Sequence, residues 1–188
     1  MRAVRVRHVI LDRDGVLNRE APGAGYILAP QQFEWLPGAL EALGRMHAAG
    51  LRLSVVTNQS AVGRGLMSLA ALHAVHARMR AEAAARGAPL DAILFCPHAP
   101  EAACACRKPS PALLAEAVAR SGIAAAETLA VGDDRRDLEA AQRAGVPAAL
   151  VRTGKGRETE RAGGSALAVA VYEDLAALAQ AVTAGAAQ

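Results

Sequence analysis

The stretch HVILDRDGVLN (residues 8–18) ends an apolar run with two aspartates, Asp12 and Asp14, two residues apart. Asp and Gly favour turns, so a strand end alone would account for DRDG. Three further stretches argue for chemistry: VVTNQS (55–60), CRKPSP (106–111) and AVGDDRRD (130–137). In that order they bring a hydroxyl, an ammonium and more carboxylates, the groups that phosphoryl transfer needs. A carboxylate attacks phosphorus and splits one hard displacement into two easier ones. A second carboxylate protonates the leaving alkoxide and later takes a proton from water. Mg²⁺ needs only one or two carboxylates beside a phosphate oxygen and its own waters. The hydroxyl and ammonium then hold the phosphoryl oxygens as charge redistributes.

A second cluster is richer in soft ligands. CPHAPEAACACRK places Cys96, His98, Cys104 and Cys106 within 11 residues, and these are all three cysteines of the chain. Three thiolates and an imidazole match a closed, four-coordinate structural Zn²⁺ site with no position left for a catalytic water. Its binding energy would act as local folding energy for a loop otherwise made of Pro and Ala. Cys106 is two residues from Lys108, so the same metal would fix the loop carrying that lysine. An odd number of clustered cysteines also argues against a secreted disulfide framework and for a reducing, cytoplasmic setting.

Elements must bring these separated groups together. Apolar, β-branched runs at 9–11, 51–57, 92–95, 128–131 and 148–151, with a weaker one at 168–171, read as strands. Amphipathic segments at 38–49, 69–86, 111–120, 135–144 and 174–182 read as helices between them. Ser68 is placed as an N-cap, and Gly50, Gly87, Gly122 and Gly145 as C-terminal caps. RTGKGRETERAGG (152–164) reads as a Gly-rich loop. Strands alternating with helices imply an α/β fold, a parallel sheet with helices on both faces. With 188 residues and no dividing linker, residues 1–188 are expected to form a single domain with the zinc loop at 96–106. In such a sheet the ligand crevice lies beyond the carboxyl ends of the strands, where Asp12, Thr57 and Asp133 would converge.

The four motifs, in this order across residues 8–145, resemble those of the haloacid dehalogenase (HAD) superfamily of phosphohydrolases. The resemblance implies a Rossmann-like HAD fold. It casts Asp12 as nucleophile and Asp14 as general acid/base, with Thr57 and Lys108 positioning the phosphoryl group. It assigns Mg²⁺ to Asp12, the backbone carbonyl of Asp14, and Asp133. Asp137 is expected to orient Lys108 or to cap its helix. The zinc loop, with DRDGVLN, TNQSAVGRG and RTGKG, resembles the branch that contains the heptose bisphosphate and histidinol phosphatases, the heptose type most. That likeness implies a small phosphorylated sugar as substrate and a place in lipopolysaccharide precursor synthesis. Arg13, Glu20, Asn58, Gln59, Ser60, Arg64, Arg107 and Asp134 are expected to line its site. Arg64, Arg107 and Lys155 are cations suited to a second phosphate. Only a flap fits between Asn18 and Pro37, so no large cap domain is expected and the site should be open.

Several other functions are disfavoured. A phospho-accepting receiver would need an aspartate after a middle strand, where Cys96 stands instead. A net charge of +3 and 3% aromatics give little support to a nucleic-acid-binding module or a nucleic-acid 3′-phosphatase. No 18-residue uncharged run exists for a membrane span, and no signal-like apolar stretch precedes Asp12. A cytoplasmic monomer is the expectation. His73 and His76 read as exposed or half-buried helix residues, Trp35 as a core anchor, and the Arg-rich start as a solvated edge strand.

Overall fold

The computed structural model describes residues 5–21 and 25–184. Six strands, β1 (His8–Leu11), β2 (Arg52–Asn58), β3 (Ala92–Cys96), β4 (Thr128–Gly132), β5 (Ala148–Val151) and β6 (Ala170–Tyr172), form one sheet in the order β3-β2-β1-β4-β5-β6. Every pairing is parallel. The chain runs outward from β1 to β3, then returns to pair β4 with the other edge of β1. The order therefore reverses between β1 and β4, which is where a crevice opens at the carboxyl ends of the strands.

Period-two alternation divides the strand side chains between two helical layers. Val9, Leu11, Leu53, Val55, Leu129 and Val131 pack against α1 (Ala39–Ala48), α2 (Leu69–Ala85) and α6 (Leu175–Ala184). Ile10, Val56, Ala130 and Leu150 face α3 (Ala112–Ser121) and α4 (Arg135–Arg143). Ser68 caps α2 by accepting from the Ala71 amide. Trp35 packs on the first of these layers, edge-to-face on Phe33, with its indole N–H on Glu82.

Three expectations are corrected. Residues 152–164 are not all loop: α5 (Gly156–Arg161) and a 3-10 turn at Gly164–Leu167 form there. The glycines at 154, 163 and 164 flank the helical run GRETER and Gly156 opens it, which masked it. The Arg-rich start does not lead into an edge strand, because β1 lies between β2 and β4; residues 1–4 fall outside the described residues. His76 is buried rather than exposed or half-buried, whereas His73 is exposed. Among the described residues no helix is long and apolar enough to cross a membrane.

Candidate active site

Beyond the carboxyl ends of the strands lies a cleft of about 380 Å³. Asp12 enters it directly after β1, Thr57 and Asn58 from the end of β2, and Asp133 directly after β4. Lys108 comes from the loop between the cysteine cluster and α3. Asp12 Oδ1 accepts from the Arg13 amide at 2.7 Å and from Lys108 Nζ at 3.0 Å, so both of these donors sit on one carboxylate oxygen. Lys108 also donates to Asp137 Oδ1 at 2.7 Å and to the Val56 carbonyl at 2.9 Å, which uses all three of its N–H bonds. Burial would lower its pKa, but the charges of Asp12 and Asp137 outweigh that and raise it. The ammonium is thus permanently charged. Burial pushes Asp12 up to about 6, with Asp137 and Asp14 adding to the rise and Lys108 opposing it.

Asp14 sits in a contrasting environment. Its carboxylate accepts from Arg13 NH2 at 2.9 and 3.0 Å, from Asn18 Nδ2 at 2.9 Å and from Gln59 Nε2 at 2.7 Å. Burial would raise its pKa, but the Arg13 charge and these donors hold it below the ordinary value. Two aspartates of one motif thereby receive opposite shifts, Asp12 upward and Asp14 downward.

Asp133 is almost completely buried, and among the described residues only the Lys155 amide, 2.8 Å from its Oδ2, donates to it. Burial first, then the charges of Asp137 and Asp12, push its pKa up strongly. The packing around it is tight. A Cβ on Gly15 (φ 80°) would stand 2.2 Å from Asp133 Oδ2, and one on Gly154 2.1 Å from the same atom. Thr153 Oγ1 donates to the Gly15 carbonyl at 2.6 Å, tying the TGKG segment over the DRDG turn. Asp12, Asp133 and Asp137 can bring one oxygen each within 4.8 Å of one another. Asp137 is already engaged by Lys108 and by the Asp134 amide, at 3.1 Å, as the N3 member of a capping box on α4. Asp12 Oδ2 and the Asp133 carboxylate are therefore left without a cationic partner among the described residues, and a hard divalent cation such as Mg²⁺ fits that deficit. The Asp14 carboxylate is turned to Arg13, so any part of it in such a site falls to its backbone carbonyl.

The remaining expected site residues divide into two groups. Arg13, Asn58 and Gln59 line the cleft, and their side chains also engage the catalytic groups. Arg13 is wholly buried on Asp14, and Asn58 grips the backbone of Lys108 on both sides (3.0 and 3.1 Å). Gln59 bridges Asp14 and Thr57 Oγ1. Glu20, Ser60, Arg64, Arg107 and Asp134 also line the cleft, joined by Lys155. Most of these charges are paired across it: Lys155 with Glu20 at 3.2 Å, Arg64 with Glu101 at 3.5 Å. Arg136 and Tyr26 also line the cleft and were not singled out from sequence. Arg136 holds Asp134 through both carboxylate oxygens, and burial, outweighed by these bonds, leaves Asp134 at about 2. Arg136 follows three acidic and basic residues on a helix start, where nothing in the sequence distinguishes a cleft-facing side chain from a solvated one.

The cysteine cluster forms as expected. Cys96 Sγ lies 3.4 Å from Cys104 Sγ and 3.6 Å from His98 Nδ1, and Cys106 Sγ lies 3.3 Å from His98 Nδ1 and 3.6 Å from Cys104 Sγ. No disulfide joins them. Zn–S bonds of about 2.3 Å imply tetrahedral edges of about 3.8 Å, so the four donors need only small outward shifts to hold a Zn²⁺ ion. The loop docks on the segment after β2: Gln59 N donates to Cys96 O at 2.7 Å and Gly63 N to Pro97 O at 2.8 Å. A Cβ on Gly63 would meet the Ala99 amide nitrogen at 2.5 Å.

A HAD-hydrolase-like family model matches residues 105–178. Over 172 residues the chain is 42% identical to D-glycero-beta-D-manno-heptose-1,7-bisphosphate 7-phosphatase of Bordetella bronchiseptica, covering 92% of this chain and 95% of that one. It is 40% identical over 134 residues to D-glycero-alpha-D-manno-heptose-1,7-bisphosphate 7-phosphatase of Mycobacterium tuberculosis, covering 71% and 70%. The crystal structure of D,D-heptose 1,7-bisphosphate phosphatase from B. bronchiseptica, complexed with magnesium and phosphate, superposes with a TM-score of 0.90. The two are 40% identical, over 96% of this chain and 99% of that one.

Proposed function

From the premise that this chain belongs to the HAD-type heptose-bisphosphate phosphatase family, we propose that it removes the 7-phosphate of D-glycero-D-manno-heptose 1,7-bisphosphate and leaves the 1-phosphate. The observation that carries the reading is the meeting of Asp12, Asp14, Thr57, Lys108 and Asp133 in one cleft, on a chain so similar to the Bordetella enzyme. The β anomer is the preferred form: relatives named for it align over 80–93% of this chain, and those named for the α anomer over 71%. The reaction takes place in the cytoplasm on a monomer, as one step in making activated heptose for lipopolysaccharide.

Asp12 is the nucleophile and carries the phosphoryl group as an aspartyl phosphate. Lys108 holds its Oδ1 together with the Arg13 amide, which orients the carboxylate and leaves Oδ2 for attack. The Thr57 hydroxyl, which accepts from Gln59, has its own proton to donate to a phosphoryl oxygen. Asp14 protonates the leaving sugar oxygen and then takes the proton of the attacking water. Asp12, Asp133 and the Asp14 carbonyl would hold Mg²⁺, which when bound offsets the charge gathering on the phosphoryl oxygens. Cys96, His98, Cys104 and Cys106 would hold Zn²⁺ in a structural role. Arg107, Arg64 and Lys155 bind the distal phosphate, which displaces Glu20 and Glu101 from the cations they pair with in its absence.

Phosphate release from both heptose bisphosphate anomers and from histidinol phosphate tests this reading, with ³¹P NMR identifying the phosphate lost. A higher kcat/KM for histidinol phosphate, or loss of the 1-phosphate, would overturn the substrate assignment.

A further inference from the structure

His76 stands on α2, outside the cleft-lining residues, yet one of its ring nitrogens reaches the catalytic groups. The link is Arg13. This arginine is 0% exposed, a burial tolerated only when its charge and its N–H groups are matched. Three of its contacts go to Asp14: Nε to Oδ1 at 3.3 Å, and NH2 to Oδ1 and Oδ2 at 2.9 and 3.0 Å. Its remaining arm, NH1, lies 3.2 Å from His76 Nε2. A guanidinium only donates, so Nε2 must accept, and the imidazole is the neutral Nδ1–H tautomer. Burial, helped by the Arg13 charge, lowers the His76 pKa to about 3, so the acceptor persists across the working pH range. The ring is itself fixed: it packs against Phe95 of β3 at 5.4 Å between centroids, and His73 packs edge-on against the same phenyl ring at 5.7 Å.

A guanidinium held only by one carboxylate can slide and rotate along it. Anchored at NH1 as well, its plane is fixed, and with it the direction in which the Asp14 oxygens point. We infer that His76 is a positioning residue, setting the guanidinium plane of Arg13 and through it the aim of the Asp14 carboxyl at the leaving oxygen. This rests on the proposed role of Asp14 as the acid that protonates the departing sugar.

Leaving-group chemistry separates such a role from a merely structural one. A sugar alkoxide departs only when protonated, whereas p-nitrophenolate is stable as the anion and needs no acid. The test measures the single-turnover rate of leaving-group release, the step before water attacks the phosphoenzyme, for the wild type, Asp14→Asn, His76→Phe and His76→Gln on the heptose bisphosphate and on p-nitrophenyl phosphate. Asp14→Asn should lose about 100-fold or more in that rate on the sugar and far less on the nitrophenyl ester. His76→Phe keeps a ring but no acceptor. It should lose about tenfold or more in the same rate on the sugar, and under about twofold on the nitrophenyl ester. His76→Gln, whose Oε1 accepts, should restore most of the loss. Equal losses on both substrates, or a glutamine variant as impaired as the phenylalanine one, would overturn the inference. If Asp14→Asn shows no split, the role of Asp14 falls first and the role of His76 with it. Should His76→Phe not fold, His76→Leu, which likewise offers no acceptor to Arg13 NH1, must show the same leaving-group split for the inference to stand.

Discussion

At the scale of single residues the site is a problem of crowded negative charge, and each carboxylate is relieved differently. Asp12 has Lys108, Asp14 has Arg13, Asp137 has Lys108 and a helix N-terminus, and Asp133 has one amide. Replacing Asp12 by Asn keeps its size and most of its contacts but removes the attacking anion. Turnover should fall by at least about 10³-fold while the fold is kept, and no phosphoenzyme should be trapped. Asp14→Asn should still form a phosphoenzyme from an activated phosphate ester, which rapid acid quench with a ³²P-labelled ester would detect. Near-native phosphate release by the Asp12 variant would sink the nucleophile assignment. Arg107 also lines the cleft, and its guanidinium donates to the His98 carbonyl at 3.4 Å. Arg107→Ala should lower kcat/KM about tenfold for the bisphosphate, the loss of one charge-assisted contact, and leave a monophosphorylated sugar nearly unaffected. Equal effects on both substrates would show that Arg107 does not read the second phosphate.

Elements decide which of these residues meet, and here the sequence was legible to different depths. Strand alternation and the Ser68 cap were readable because they repeat or sit at a boundary. So was the convergence of Asp12, Thr57 and Asp133, because it follows from parallel strands alone. The burial of His76 was not, since alanines fill much of the solvent face of α2 and blur the contrast that marks the stripe of Leu72, Val75 and Met79 to which it belongs. Nor were the braces made by Asn58 and Gln59, which depend on how the lysine loop and the DRDG turn lie against β2. The cysteine loop was legible from spacing, but its docking through Gln59 and Gly63 was not. That docking makes a prediction about metal and loop together. Cys104→Ala should reduce bound zinc, lower the melting temperature by about 5–10 °C, and weaken activity through Lys108 and Arg107. Mild chelation of Mg²⁺ should instead stop turnover reversibly with little change in melting. Elemental analysis that finds no zinc in the wild-type protein would refute the assignment, whatever the variant does.

Over the whole molecule, parallel strands separate function from stability along the sheet axis: the cleft is at the carboxyl ends, and an uncharged histidine sits at the amino ends. His8, the first residue of β1, is 0% exposed between Ser54 Oγ (3.0 Å from Nε2) and Thr128 Oγ1 (3.4 Å from Nδ1). Burial lowers its pKa to about 4, with Asp91 opposing and Arg52 adding to the shift. The unfolded chain protonates this ring near its ordinary value of 6.5, so below that pH it binds a proton that the folded chain refuses. The contribution of His8 is therefore complete above pH 6.5 and is lost as the pH falls toward 4. By pH 5 the loss should be about 1–2 kcal/mol. The raised carboxyls of Asp12 and Asp133 work in the opposite direction, because protonation in acid relieves their repulsion. The raw stability curve mixes these effects, and the difference between wild type and His8→Gln isolates one of them. Urea midpoints at pH 7 and pH 5 should show the wild type losing its advantage over the variant as the pH drops, with kcat at pH 7 the same in both. An advantage that is constant or grows toward pH 5 would mean that His8 is charged in the folded protein, paired with Asp91 rather than held neutral between two hydroxyls.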